Sequence, residues 1–279
     1  MRRLAGALLA LLLPATALAQ APAFDHAHAA WGALVAKHVV ETDGGRASRV
    51  RYAGFAADRA ALDAYLASLA RVGEAEFRQW TRAQRLAFLL NAYNAFTVAK
   101  VLQRYPDLKS IRDFGRVIGN PFKDRFFTLL GHPASLDEIE HGMLRKPGEY
   151  DDVRVHFAAN CASLGCPMLR AEAYVADRLS AQLEDQARRF LSDRSRNRYD
   201  AASGRLQVSK IFDWFEDDWK RGTRNFDQSS APVASREGWL ARYAALLTAD
   251  EAGRAKVAAG QVPLEFLEYD WTLNDADRR

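Results

Sequence analysis

Residues 155–167 gather the side chains of this chain that are best suited to chemistry. The stretch holds both cysteines of the sequence, Cys161 and Cys166, and places His156, Asn160 and Ser163 around them. A thiol becomes a nucleophile when a histidine or the start of a helix lowers its pKa. The residue types therefore predict a thiol site in which Cys161 reacts.

A thiol hydrolase or acyl transferase is the first hypothesis. Cys161 would attack a carbonyl carbon, and either His141 or His156 would act as its base. Asn91 or Glu138 would then orient that histidine. Two more asparagines and a serine are expected to contact the bound substrate, which would be a small molecule or a peptide: Asn94, Asn160 and Ser163.

The second hypothesis is a binding or structural module without catalysis. Cys161 and Cys166 would form a disulfide, because paired cysteines are usually oxidised in exported proteins. The loop between them is short, so the bridge would add only about 2 kcal/mol and would mainly fix the loop. The polar residues around it would then hold this loop against the core: His141, His156, Asn91, Asn94 and Asn160.

Metal and serine chemistry fit less well. His141, His156, Cys161 and Cys166 are ligand types that suit zinc, but the cysteine spacing C-x-x-x-x-C is wider than that of the usual structural knuckle. Ser163 lacks the G-x-S-x-G elbow of serine hydrolases. We therefore expect no cofactor, and zinc is the less favoured alternative.

The long apolar segment at about 81–105 predicts a central buried helix. Thr81 and Gln84 have the spacing of a capping box, which starts a helix, and apolar residues then occur on every side. Buried amides need hydrogen-bond partners, so Asn91 and Asn94 must contact a catalytic side chain, a ligand or the backbone of a loop.

Other segments predict the elements around this helix. A second capping box at Ser135 and Glu138 heads a helix through Leu144, on which Glu138 and His141 stand at i, i+3 and can pair. Residues 153–157 read as a strand that carries His156 to the cysteines. With further helices at 174–191 and 209–218, the pattern predicts an α+β fold, mostly helical, with a small sheet.

The ends and the composition bound the remaining possibilities. Residues 1–19 have the basic start, apolar run and A-x-A site of a secretory signal peptide, so we expect export to the periplasm or the cell exterior. No linker divides residues 20–279, which predicts one globular domain. The net charge of +4 is too mild to indicate a nucleic-acid partner. No later stretch is apolar enough for a transmembrane helix.

Together the segments resemble the family called domain of unknown function 547. The resemblance rests on six motifs in order, L-A-F-L-L-N-A-Y-N-A-F at 86–96, R-Y-P with S-I-R-D-F at 104–114, S-L-D-E-I-E-H-G-M-L-R at 135–145, H-F-A-A-N-C-A-S-L-G-C-P at 156–167, S-K-I-F-D-W at 209–214 and Y-D-W-T-L-N at 269–274. It implies one α+β domain and, in bacteria, frequent export.

The order of elements is also similar to that of papain- and transglutaminase-like enzymes, in which a central helix precedes a histidine-bearing strand. In that layout the helix position would fall on Asn91 rather than on a cysteine. The analogy therefore implies a relic or a rearranged thiol enzyme.

Overall fold

One long helix, Arg82–Leu102, forms the centre of the structure. In the computed structural model, which describes residues 23–115 and 120–278, every residue from Leu86 to Val101 of this helix is buried. Thr81 accepts a hydrogen bond from the Gln84 amide and the Gln84 side chain accepts one from Thr81, so the predicted capping box is present. The predicted central helix is confirmed.

The other α-helices are shorter and pack around this one. In chain order, the α-helices of the described residues are α1 (Ala29–His38), α2 (Tyr52–Ala57), α3 (Arg59–Ala70), α4 (Glu74–Gln79), α5 (Arg82–Leu102), α6 (Leu179–Ser192), α7 (Ile211–Trp214), α8 (Glu216–Lys220), α9 (Arg236–Ala241), α10 (Ala244–Leu247) and α11 (Glu251–Ala258).

The strands form three small sheets rather than the single one predicted. They are β1 (Val39–Thr42), β2 (Ala47–Val50), β3 (Phe127–Leu129), β4 (His132–Ala134), β5 (Arg198–Asp200), β6 (Arg205–Ser209) and β7 (Leu264–Leu267). β1 pairs with β2, β3 with β4 and β5 with β6, all antiparallel, whereas β7 adds to β6 in parallel. The predicted class, mostly helical α+β, is confirmed.

Two segments near the cysteines form less common helices. Glu138–Leu144 is a π-helix, and Val153–Phe157 is a 3₁₀-helix. The predicted strand at 153–157 is therefore wrong. Asp152 explains the difference, because its carboxylate accepts hydrogen bonds from the Arg154 amide and guanidinium and closes a tight turn there.

The hydrophobic core consists of two clusters. The larger surrounds α5 and includes Val155 and Ala158, and the smaller surrounds α9 and α10 and includes Val153 and Phe157. The 3₁₀-helix thus runs between the clusters and contributes side chains to both. His156 is carried on this segment, so the packing of both clusters fixes its position.

The signal peptide predicted at 1–19 lies outside the described residues. Within residues 23–115 and 120–278, no helix has both the length and the apolar character needed to cross a membrane.

Candidate functional site

A cavity of about 170 Å³ brings the predicted reactive residues together. Cys161, Cys166, His141 and His156 all line it. Its walls come from α5, the π-helix, the 3₁₀-helix, α7 and residues 158–167, which we call the cysteine loop. Elements distant in sequence therefore meet at one place, which is the usual form of a small-molecule site.

Two larger cavities lack this chemistry. One of about 850 Å³ lies beside α1 and α3, and one of about 610 Å³ lies beside β1 and β2. None of the described residues that line them is a cysteine or a histidine. The smaller cavity is the candidate site because reactive side chains, rather than volume, determine what a site can do.

Cys161 is the thiol that ionises more easily. Its Sγ lies 2.7 Å from the Cys166 Sγ, 3.1 Å from the Tyr269 hydroxyl and 3.3 Å from the Ser163 hydroxyl. Burial raises the pKa of Cys161, but hydrogen bonds from these groups to the thiolate outweigh it, and the pKa lies below its ordinary value. Burial raises the pKa of Cys166 well above its ordinary value. The reactive form is therefore a Cys161 thiolate beside a protonated Cys166.

The two cysteines are in contact but not bonded, and both are free. The Cys161 amide also donates to the Cys166 Sγ at 2.8 Å. The disulfide stays a prediction, and the contact places the two sulfurs where such a bridge would form.

Hydrogen bonds from α5 and within the loop itself hold the cysteine loop in place. Asn94 on α5 donates to the Ala158 carbonyl and accepts from the Asn160 amide, while the Asn160 side chain donates to the Pro167 carbonyl. These bonds fix both ends of the loop. Asn94 and Asn160 do not line the cavity, so their contacts are those of loop supports rather than of ligand-binding groups.

The C-terminal segment closes over the same loop. The Gly165 amide donates to the Asp270 carbonyl at 2.8 Å, and the Leu164 amide donates to the Thr272 carbonyl at 2.8 Å. A Cβ atom at Gly165 would lie 2.9 Å from the Asp270 nitrogen, so this close approach requires glycine. The approach brings the Tyr269 hydroxyl within hydrogen-bond distance of Ser163, at 3.3 Å, as well as of Cys161. Ser163 is buried and does not line the cavity.

His156 has a carboxylate partner that the sequence prediction missed. Its Nε2 lies 2.8 Å from an oxygen of Asp218, and its ring stacks on Phe215 with centroids 4.2 Å apart. Arg145 binds the same carboxylate through two nitrogens, at 2.6 and 3.0 Å. Burial would raise the pKa of Asp218, but the hydrogen bonds from His156 and Arg145 hold it well below its usual range. Asp218 is therefore ionised, and its oxygens can only accept hydrogen bonds.

This pairing fixes the state of the imidazole. Because an ionised Asp218 only accepts, the His156 Nε2 carries the proton, and Nδ1 keeps the lone pair of a base. Burial lowers the pKa of His156, although the Asp218 hydrogen bond partly opposes it. The histidine is therefore neutral at pH 7, which is the state that a general base needs.

His141 lies at the cavity wall but does not pair with Glu138. Its Nδ1 contacts the Arg145 guanidinium, and its Nε2 lies 3.7 Å from Asp137. Both partners are four residues away, a spacing that places side chains on the same face of a helix. The predicted Glu138–His141 pair is therefore wrong.

Glu138 points away from the cavity. Its carboxylate accepts from the Ser135 amide at 2.8 Å and binds Arg125, so the second predicted capping box is present. Glu138 does not line the cavity. It starts the π-helix, and its side-chain partners among the described residues are Arg125 and Ser135 rather than a histidine.

Asn91 is also occupied away from the thiols. Its side chain donates to the Tyr174 carbonyl at 2.7 Å and accepts from the Tyr174 amide at 3.0 Å. The sequence left a catalytic side chain, a ligand or a loop backbone open as partners of Asn91 and Asn94. In the structure, both side chains bind the backbone of a loop.

Glu140 is the second residue that the sequence prediction missed. It lines the cavity, and its carboxylate accepts from the Tyr93 hydroxyl on α5 at 3.0 Å. Its charge opposes ionisation of Cys161 and favours protonation of His156. The signal in the sequence was the E-I-E-H segment, in which the acidic residue next to His141 faces the site.

Three aromatic side chains form the outer wall of the cavity, which we call the aromatic wall: Trp214, Tyr269 and Trp271. Their rings contact one another, with centroids 4.7 to 5.7 Å apart. Trp214 is 43% exposed, whereas Trp31, Trp219 and Trp239 are nearly fully buried. The wall therefore offers ring faces at the mouth of the cavity.

The described part of the chain holds no group of three or more histidine, cysteine or acidic side chains arranged to bind a metal. The four residues considered for zinc, His141, His156, Cys161 and Cys166, line the same cavity.

Residues 77–191 match the model of a protein family described as "Protein of unknown function, DUF547". This match confirms the resemblance over the first four sequence motifs, at 86–96, 104–114, 135–145 and 156–167, and it spans α5, the π-helix and the cysteine loop. It ends before Asp218 and the aromatic wall. Comparisons with curated proteins and with solved structures give no match.

Proposed function

We propose that this chain, with its DUF547 domain at residues 77–191, is a thiol-dependent hydrolase or acyl transferase. Cys161 is the nucleophile and His156, oriented by Asp218, is the general base. One observation carries the proposal: a thiol with a lowered pKa and a neutral histidine fixed by a carboxylate line the same cavity.

The reaction follows from these groups. The Cys161 thiol passes its proton to His156, and the thiolate attacks the carbonyl carbon of an ester, thioester or amide. Collapse of the tetrahedral intermediate breaks the bond to the leaving group, which takes the proton back from His156. The acyl group on the sulfur then passes to water, or to an amine or alcohol, with His156 again accepting the proton.

Export is the proposed setting, and it limits when the enzyme is active. The predicted signal peptide would deliver the protein to an oxidising compartment. A Cys161–Cys166 disulfide formed there would block the nucleophile until it is reduced.

A test measures how fast Cys161 reacts with iodoacetamide in the folded, reduced protein as pH rises, with peptide mapping to separate its label from that of Cys166. A midpoint below the ordinary cysteine value of about 8.5 is expected. His156→Ala should slow labelling near pH 7 by at least about tenfold. His132→Ala, which changes an exposed histidine of β4, should leave the rate unchanged. A midpoint at or above 8.5, or equal rates in His156→Ala and wild type, would show that Cys161 is not activated.

The contact between the two sulfurs favours a second candidate, a non-catalytic binding module closed by a disulfide. Alkylation of the unreduced, denatured protein distinguishes the two. Two added alkyl groups would eliminate the disulfide module. No labelling until a reductant is added would favour it over the thiol enzyme in the exported form.

A further inference from the structure

We infer that the substrate of this cavity carries a positive charge, an ammonium or guanidinium group, bound by Glu140 and the aromatic wall. The inference rests on the proposed thiol chemistry, since it assigns the group held beside Cys161. It adds a substrate class that neither the family description nor the reactive residues specify.

Glu140 is a partly buried carboxylate with no cation partner among the described residues. Its one hydrogen bond comes from the Tyr93 hydroxyl, and no lysine, arginine or histidine nitrogen lies within ion-pair distance of it in those residues. An ionised carboxylate in a partly apolar cavity is costly unless it is paired. A cationic ligand would supply the missing partner.

The guanidinium that lines the cavity is already paired. Arg145 donates two hydrogen bonds to Asp218, which also binds Arg221, and it lies over the Phe215 ring at 4.5 Å. The lining itself contributes the carboxylates of Asp137 and Glu140 against the one guanidinium of Arg145, so it carries an excess of negative charge.

The aromatic wall suits a cation as well as an apolar group. Ring faces attract ammonium and guanidinium groups, and several rings together form the sites that bind such ligands. Trp271 already holds a cation, because the Arg112 guanidinium lies 5.1 Å from its ring centre. The exposed Trp214 and the Tyr269 ring have no such partner in the described chain.

Both halves of this site lie next to the nucleophile. The Tyr269 hydroxyl is 3.1 Å from the Cys161 sulfur, and the charge of Glu140 acts on the same thiol. A cationic group held between them would place a neighbouring carbonyl, or an acyl-accepting amine, at Cys161.

Binding of matched probes to the Cys161→Ser protein tests this inference. Fluorescence anisotropy of dansylcadaverine, which ends in a primary ammonium, is compared with that of its uncharged analogue, which ends in a hydroxyl. We expect the ammonium probe to bind at least about tenfold more tightly. Glu140→Gln keeps an acceptor for Tyr93 but removes the charge, and it should abolish this preference while leaving the hydroxyl probe unaffected.

Two further variants control the experiment. Glu251→Gln neutralises an exposed carboxylate at the start of α11, away from the cavity, and should change neither affinity. Trp214→Leu should weaken binding of the ammonium probe more than Trp214→Phe does, because phenylalanine keeps a ring face. Equal binding of the two probes, or a charge preference that survives Glu140→Gln, would overturn the inference.

The outcomes separate this inference from the proposed function. A Glu140-dependent preference for the ammonium probe in a protein whose Cys161 proves unreactive would refute the thiol chemistry alone. An activated Cys161 in a protein without that preference would refute the cation site alone.

Discussion

Asp218 joins His156 and Arg145 at the candidate site. It accepts from His156 and Arg145 and also binds Arg221. The sequence offered no reason to pair it with His156, because the two residues lie 62 positions apart on different elements. Only the packing of α8 against the 3₁₀-helix brings them together.

Replacing this carboxylate tests its role. Asp218→Asn should lower the free energy of unfolding by about 2–3 kcal/mol, because it leaves the Arg145 charge without its buried partner. The pKa of His156 should fall further below its ordinary value, since burial would no longer be opposed by a charged acceptor. Urea unfolding and NMR titration of the imidazole measure both effects.

Asp217→Asn is the matched control, because it changes an exposed neighbour on the same helix. It should alter neither the unfolding free energy nor the His156 titration. If Asp218→Asn left the titration of His156 unchanged, the proposed orientation of that histidine by Asp218 would be wrong.

At the scale of elements, α5 works as a scaffold for loops. Asn94 hydrogen-bonds to the Ala158 carbonyl and the Asn160 amide, and Asn91 hydrogen-bonds to the carbonyl and the amide of Tyr174. The helix presents these amides one turn apart on a buried face. In this way a rigid central element fixes the positions of segments that lack regular structure of their own.

The Asn94→Leu substitution should release the cysteine loop. It leaves the Ala158 carbonyl and the Asn160 amide buried without partners, at a cost of about 2–4 kcal/mol. Hydrogen exchange of the amides from Asn160 to Cys166 should become faster, and chemical denaturation should show the lost stability.

Thr97→Val provides the comparison on the same buried face. The Thr97 hydroxyl donates to the Tyr93 carbonyl within the helix, so its loss should cost about 1 kcal/mol and should leave exchange in the cysteine loop unchanged. Equal loop exchange in the two variants would mean that Asn94 does not support the loop.

At the scale of the whole molecule, stability depends on a histidine far from the site. His28 is buried, and its Nδ1 lies 2.7 Å from the Tyr65 hydroxyl. Burial lowers its pKa to about 4, against a smaller opposite effect of Asp25. Below pH 6.5 the unfolded chain therefore binds a proton at this position that the folded chain does not.

The stability that a neutral His28 contributes is fully present above pH 6.5 and is lost as the pH falls towards 4. The free energy of unfolding should therefore decrease by about 3 kcal/mol over this interval. The free energy of unfolding of the His28→Asn protein should decrease less over the same interval, because asparagine does not titrate. Asparagine also tolerates the left-handed backbone at this position, where φ is 50°. Urea unfolding at pH 4 and 6.5 measures the difference, and parallel losses in the two proteins would contradict this account.

Local patterns in the sequence predicted the elements whose formation depends on neighbouring residues. The capping boxes at Thr81 and Ser135 and the all-round apolar face of α5 follow from short spacings, and all are present. The prediction of a strand at 153–157 was wrong because its apolar residues fit the period of a strand as well as that of a helix. Hydrogen bonds to the side chain of Asp152 decided between them.

The sequence by itself determined the fold class, the central helix, the resemblance to the family whose model matches residues 77–191, and the thiol and histidine residues that gather at one cavity. Only the tertiary structure determined which partners they have: His156 pairs with Asp218, Cys161 contacts Tyr269, and Glu140 lines the same cavity. The physical reason is that helix caps and apolar periodicity are properties of nearby residues. A charge partner 62 positions away, or a tyrosine 108 positions away, is selected only by how the elements pack.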